Sequence, residues 1–104
     1  MDNKLRVAHY DLYEIKELLK SPNTRIITRR SRQEAVRLGY ASDLDMVNRI
    51  QLLNVNELYK TMKSVKCPGL WQDVYRTTDG PVELYIKIQK SFDHKGVIIQ
   101  FKKK

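Results

Sequence analysis

"VELYIKIQK", residues 82–90, alternates without a break: Val82, Leu84, Ile86 and Ile88 are aliphatic, and Glu83, Tyr85, Lys87 and Gln89 stand between them. Successive side chains of a strand point to opposite faces, so a period of two describes a sheet with one apolar and one wetted side. The same period runs through "LWQDVYR" (70–76) and "GVIIQFKKK" (96–104). The connections, "TTDGP" and "SFDH", carry turn residues. Connections this short join antiparallel neighbours, so the C-terminal half reads as a three-stranded meander.

Upstream the period lengthens. Leu12, Ile15 and Leu19 recur at helical spacing, which predicts an amphipathic helix over residues 9–20, stopped by Ser21-Pro22-Asn23. "RIIT" (25–28) reads as a short β-branched strand. Further helix starts share one device, an N-cap acceptor with a carboxylate three residues on: Ser31 with Glu34, Ser42 with Asp45, Asn54 with Glu57. The first of these helices stops at Gly39. The second is expected to bury Leu44, Val47 and Ile50. The third, "VNELYKTM" (55–62), is expected to bury Val55, Leu58 and Met62, with Lys60 off its apolar stripe. The whole is an α+β pattern: N-terminal helices packed on one face of an antiparallel sheet, within a single domain spanning residues 1–104.

Alternation sorts the sheet's side chains. Leu84, Ile86, Ile88, Val97, Ile99 and Phe101 can pack together; Tyr85, Lys87, Gln89, Gln100 and Lys102 fall opposite, with Ile98 out of place among them. If Trp71 turns to the core, Gln72 and Arg76 join the polar side. Cations that meet phosphates, a phenol that stacks or moves a proton, and amides that read base edges suit an RNA backbone. A merely solvated sheet face has the same pattern, and alternation does not separate the two readings.

Charge points the same way. The net charge of +8 on 104 residues favours a polyanionic partner, nucleic acid first. Cys67 is the single cysteine, which rules out an intrachain disulfide and fits a reducing compartment. It precedes Pro68-Gly69, a turn, with no base beside it. Cys67, His9 and His94 have no ligand spacing, so neither a metal nor another cofactor is expected. No apolar run reaches membrane-span length, and a cytoplasmic protein without a membrane partner is expected. "RRSR" (29–32), with Arg29 and Arg30, precedes the expected helix start and is a candidate phosphate contact or a solvated basic turn.

"YK" (59–60), "LWQDVYR" (70–76), "YIKI" (85–88) and "VIIQFKKK" (97–104), in this order and spacing, resemble the MqsR (motility quorum-sensing regulator) family of bacterial toxins. The resemblance covers nearly the whole chain; "RS" (30–31), "LGY" (38–40) and the Met46/Asn48 pair also match. It implies a RelE-like microbial ribonuclease fold and a type II toxin that cuts single-stranded messenger RNA beside GC dinucleotides, independently of ribosomes. It also implies a cognate antitoxin with a zinc-binding N-terminal region and a helix-turn-helix C-terminal region. Operator DNA is then met only through the toxin–antitoxin complex. The family's toxicity residues fall on Lys60, Gln72, Tyr85 and Lys102, with Arg76, Lys87, Arg29 and Arg30 as supporting RNA contacts. The 77–81 and 91–96 connections depart from the family pattern, which bears on substrate preference. Lys87 has only a supporting electrostatic role in this reading, and Glu83 and Gln89 are plain surface. The rival reading is a non-catalytic RNA- or DNA-binding module. "RQEAVRLGYASDLDMVNRIQLL" contains two short helices around a glycine turn, but Asp43 and Asp45 at the second helix start would repel phosphate.

Overall fold

The computed structural model of the chain describes residues 7–104. Its elements run α1 (Leu12–Lys20), β1 (Arg25–Ile27), α2 (Arg29–Arg37), α3 (Asp43–Gln51), a 3₁₀ turn (Val55–Glu57), β2 (Leu58–Lys63), β3 (Trp71–Asp79), β4 (Val82–Lys90) and β5 (Gly96–Lys103). One sheet has the order β1-β5-β4-β3-β2. The meander β3-β4-β5 is antiparallel as expected, and β2 extends it antiparallel to β3. The expectation of a wholly antiparallel sheet fails at β1, which pairs parallel with β5. That parallel pair is possible because the long connection between β1 and β5 includes all the intervening elements. The α+β architecture agrees with a RelE-like fold.

Helices α1, α2 and α3 cover one face. Leu12, Ile15, Leu19, Ala35, Met46, Val47 and Ile50 pack on Tyr75, Leu84, Ile86, Ile88, Ile98 and Phe101. Gly96 opens β5 directly under α1: a Cβ there would lie 3.1 Å from the Leu18 Cβ, so the close approach needs a glycine. Asp73 is buried and accepts the backbone N–H groups of His9 (3.0 Å) and Tyr10 (2.9 Å). It thereby ties the segment before α1 to β3, and His9 stacks on Trp71 at 5.2 Å.

Several local expectations are corrected. The predicted helix over 55–62 is a single 3₁₀ turn followed by β2. The Asn54–Glu57 capping box is present, yet the chain leaves the helix at once. Pairing with β3 satisfies backbone groups that an unpaired β3 edge would leave open. The cap of α2 is Thr28, not Ser31; Ser31 lies inside the first turn, and its hydroxyl donates to the Ile98 carbonyl (3.2 Å). Arg29 and Arg30 therefore sit within the helix start rather than before it. Glu34 turns instead to the sheet edge, where its carboxylate accepts the Phe101 N–H (3.1 Å). The α2 start and Glu34 thus satisfy the β5 edge beyond β1. The Ser42–Asp45 box on α3 is present, but Leu44 is 58% exposed and Met46 takes the core position expected of it.

Candidate functional site

The sheet face turned away from the helices is built in three rows by strand register. One row aligns Arg76 (β3), Tyr85 (β4) and Lys102 (β5) as direct cross-strand partners. The next aligns Lys60 (β2), Val74, Lys87 and Gln100. In the third, Met62 opposes Gln72 on β3, and Gln89 opposes Val97 on β5. Direct partners stand ~4.5–5.5 Å apart at Cβ and same-face neighbours along a strand roughly 6.6 Å apart, so the rows form one continuous surface.

Two bulges set this pattern. Between β2 and β3 the register shifts at Tyr59, so that Leu58 reaches the core while Lys60 still opposes Val74. The freed Tyr59 ring lies 4.7 Å from the Arg76 guanidinium carbon and 6.5 Å from the Tyr85 ring. In β5, Ile88 opposes Ile98 and Lys87 opposes Gln100, leaving Ile99 as the extra residue. This corrects the alternation reading: Ile98 and Phe101 are the core residues, and Ile99 lines the open face. Without the bulge, strict alternation would put Ile98 on the same side as Gln100 and Lys102.

Lys60, Gln72, Tyr85 and Lys102 thus share one face, each from a different strand. Lys102 Nζ stands 5.2 Å from the Tyr85 ring centre, and Lys60 Nζ stands 5.6 Å from that of Tyr59. Arg76 joins them and pairs with the exposed Glu83, 3.7 Å away, which also pairs with Lys104. Lys87 lies between the lysines. Burial first, then the positive charges of Lys60, Lys102 and Arg30, hold its ammonium below the ordinary lysine range, with Glu34 acting the other way. Arg30 reaches the same region from α2 although it also pairs with Glu34 (3.3 Å). Arg29 is exposed on the same turn and does not reach this region.

Sequence reasoning missed two contributors. Gln89, expected as plain surface, is only 6% exposed; its Oε1 accepts from Gln72 Nε2 at 3.1 Å. Its place two residues past Lys87 on the polar side was the available signal. Tyr59 was hidden because residues 55–62 read as a helix. Among the described residues, no group of three or more His, Cys, Asp or Glu side chains is placed to hold a metal ion. No helix there is long and apolar enough to cross a membrane.

Residues 7–103 match the family model for the motility quorum-sensing regulator, toxin of MqsA. The chain is also similar to the mRNA interferase toxin MqsR of Escherichia coli (strain K12), 33% identical over 99 residues, which is 95% of this chain and 97% of that protein. A match over nearly the full length, joined to the shared face that carries the family's expected residues, leads to one conclusion: this chain belongs to the MqsR toxin family.

Proposed function

We propose that this protein is the toxin of a type II toxin–antitoxin pair and an endoribonuclease that cuts single-stranded messenger RNA at GC-containing sites without the ribosome. The observation that carries the reading is the convergence of Lys60, Gln72, Tyr85 and Lys102 from four strands onto one open, cationic face. In this reading the ribose 2′-OH attacks the adjacent phosphorus, the bond to the 5′ oxygen breaks, and a 2′,3′-cyclic phosphate and a 5′-OH are released. The nucleophile belongs to the substrate and is already near its target. The protein's task is to move protons and to hold the extra charge of the phosphorane.

Lys60 and Lys102 are assigned to that charge. Tyr85, flanked by Arg76 and Lys102, is assigned to the leaving oxygen, to which its hydroxyl delivers a proton. Gln72 does not titrate and orients the strand by hydrogen bonding. Lys87, whose surroundings disfavour its charged form, is the lysine suited to accept the 2′-OH proton. Cleavage should then rise with pH toward the lowered Lys87 pKa, and Lys87→Met should flatten that rise. A cognate antitoxin, zinc-binding in its N-terminal region and DNA-binding through a C-terminal helix-turn-helix, would neutralise the toxin in the cytoplasm and repress the shared operon with it.

The test is incubation of the purified protein with fluorescent single-stranded RNA containing GC steps, with and without EDTA. Cleavage that survives EDTA and leaves a cyclic phosphate is expected. RNA binding without cleavage would leave a binding module instead.

A further inference from the structure

Beside the catalytic rows, the open face sinks into a groove of about 330 Å³. That is the low end of the ~300–1,000 Å³ of small-molecule sites. Met62 and Val65 form one side, Ile99 lies on the bulged strand opposite, and Gln72, Lys87 and Gln89 complete the lining. Val65, in the β2–β3 connection, is 89% exposed, an apolar side chain held out over the groove mouth. The bulge of β5 is what delivers Ile99 here rather than to the core.

The groove's polar equipment is unusual for a basic surface. The side-chain amides of Gln72 and Gln89 share a single hydrogen bond of 3.1 Å and make no other among the described residues. An amide carries two donor hydrogens and two acceptor lone pairs. The pair is therefore left with one amino group and one carbonyl oxygen free of protein partners, whichever amide donates to the other. Gln89 is almost wholly covered, yet its amino group is still reached by solvent, so a ligand entering the groove would replace water at this pair. Lys87 and Arg30 add positive charge at the same site.

We propose that this groove is a base-reading subsite: it takes one nucleobase of the RNA strand, with Gln89 as the specificity-determining residue. The apolar side chains in the lining offer contact to the face of a flat ring. A free donor and a free acceptor suit the Watson–Crick edge of an unpaired nucleobase, which offers both. The cations hold the phosphates on either side of it. Gln89 lies four residues along β4 from Tyr85, about 13 Å at ~3.3 Å per residue, so the base read belongs to a nucleotide near the reacting phosphate, not to a remote site. This inference rests on the RNA reading above and extends it by naming where sequence is recognised.

The experiment uses short 2′-O-methyl RNA, which lacks the attacking hydroxyl and cannot be cleaved, so binding is read independently of catalysis. Each position in turn is varied over the four bases and an abasic residue, and affinity is followed by fluorescence anisotropy for the parent, Gln89→Leu and Gln89→Glu. One position should discriminate among bases at least fivefold in the parent, the lower end of what a good paired contact supplies. Gln89→Leu should erase that preference. Gln89→Glu, which exchanges an amino donor for an acceptor at constant size, should shift it to another base and preserves the test if the leucine variant unfolds. A flat profile in the parent, or the same preference in both variants, overturns the proposal. Binding preference with no cleavage of ordinary RNA would instead retain the subsite and remove the nuclease.

Discussion

Leu84, Ile86 and Ile88 on one side of β4 are shut off from solvent, while Tyr85 and Lys87 on the other stay partly open. Both sets hang from the same backbone with the same hydrogen bonds, so the difference lies in what each meets. The covered side meets three helices and gives its stability through apolar burial. The open side gathers like charges, an arrangement that adds nothing to folding. Lys60, Lys87, Lys102 and Arg30 are close enough to disfavour one another's charge at Lys87. Such a concentration persists where a polyanion relieves it.

That contrast can be broken from either side. The largest effect should come from the covered face: Ile86→Ala removes a fully buried side chain and should cost about 2–5 kcal/mol, read as a fall in the denaturation midpoint. Asp73→Asn should follow. It puts an amino group against N–H donors that the carboxylate now accepts, at a cost of about 1–3 kcal/mol, and amide exchange at His9 and Tyr10 should accelerate.

On the open face the pattern should invert. Tyr85→Phe and Lys60→Ala should each lower RNA cleavage at least tenfold, about 1.4 kcal/mol of barrier, without moving the unfolding midpoint. Parental cleavage by either variant would remove that residue from the mechanism. Lys87→Met should have the smallest effect on the fold, and in the opposite direction. The folded-state pKa of Lys87 lies below its unfolded value. Its charge therefore opposes folding at neutral pH, and the opposition disappears as pH rises above the ordinary lysine value. The methionine variant should melt slightly higher at pH 7, with the gain vanishing in alkali, while the salt dependence of RNA affinity loses about 0.7 in slope. A lower melting point would mean that the ammonium is held by contacts worth more than its burial costs.

Tyr40 makes a subsidiary point about the same contrast. Away from the open face its hydroxyl donates to Asp79, and burial and that carboxylate push the phenol up to about 12. It is thus fixed as a donor, in a structural role.

Much of this molecule could be read from residue order alone. The strict period of β4, the turn residues around it and the Ser42–Asp45 box are local signals, and the structure honours them because no neighbour opposes them. The runs "LWQDVYR" and "YIKI" likewise mark Gln72 and Tyr85, which strand register sets on one sheet face. Where reading failed, a partner distant in sequence made the choice. Residues 58–63 fit helix and strand alike, and the open edge of β3 selected the strand. Ile98 and Ile99 are chemically equivalent, and only a bulge against β4 sends one to the core and the other to the groove. Gln89 looked like surface until Gln72, on the neighbouring strand, came within hydrogen-bonding distance. Periodicity reports which way a side chain points along its own strand; register and bulges, set by the pairing of distant segments, decide what it finds there.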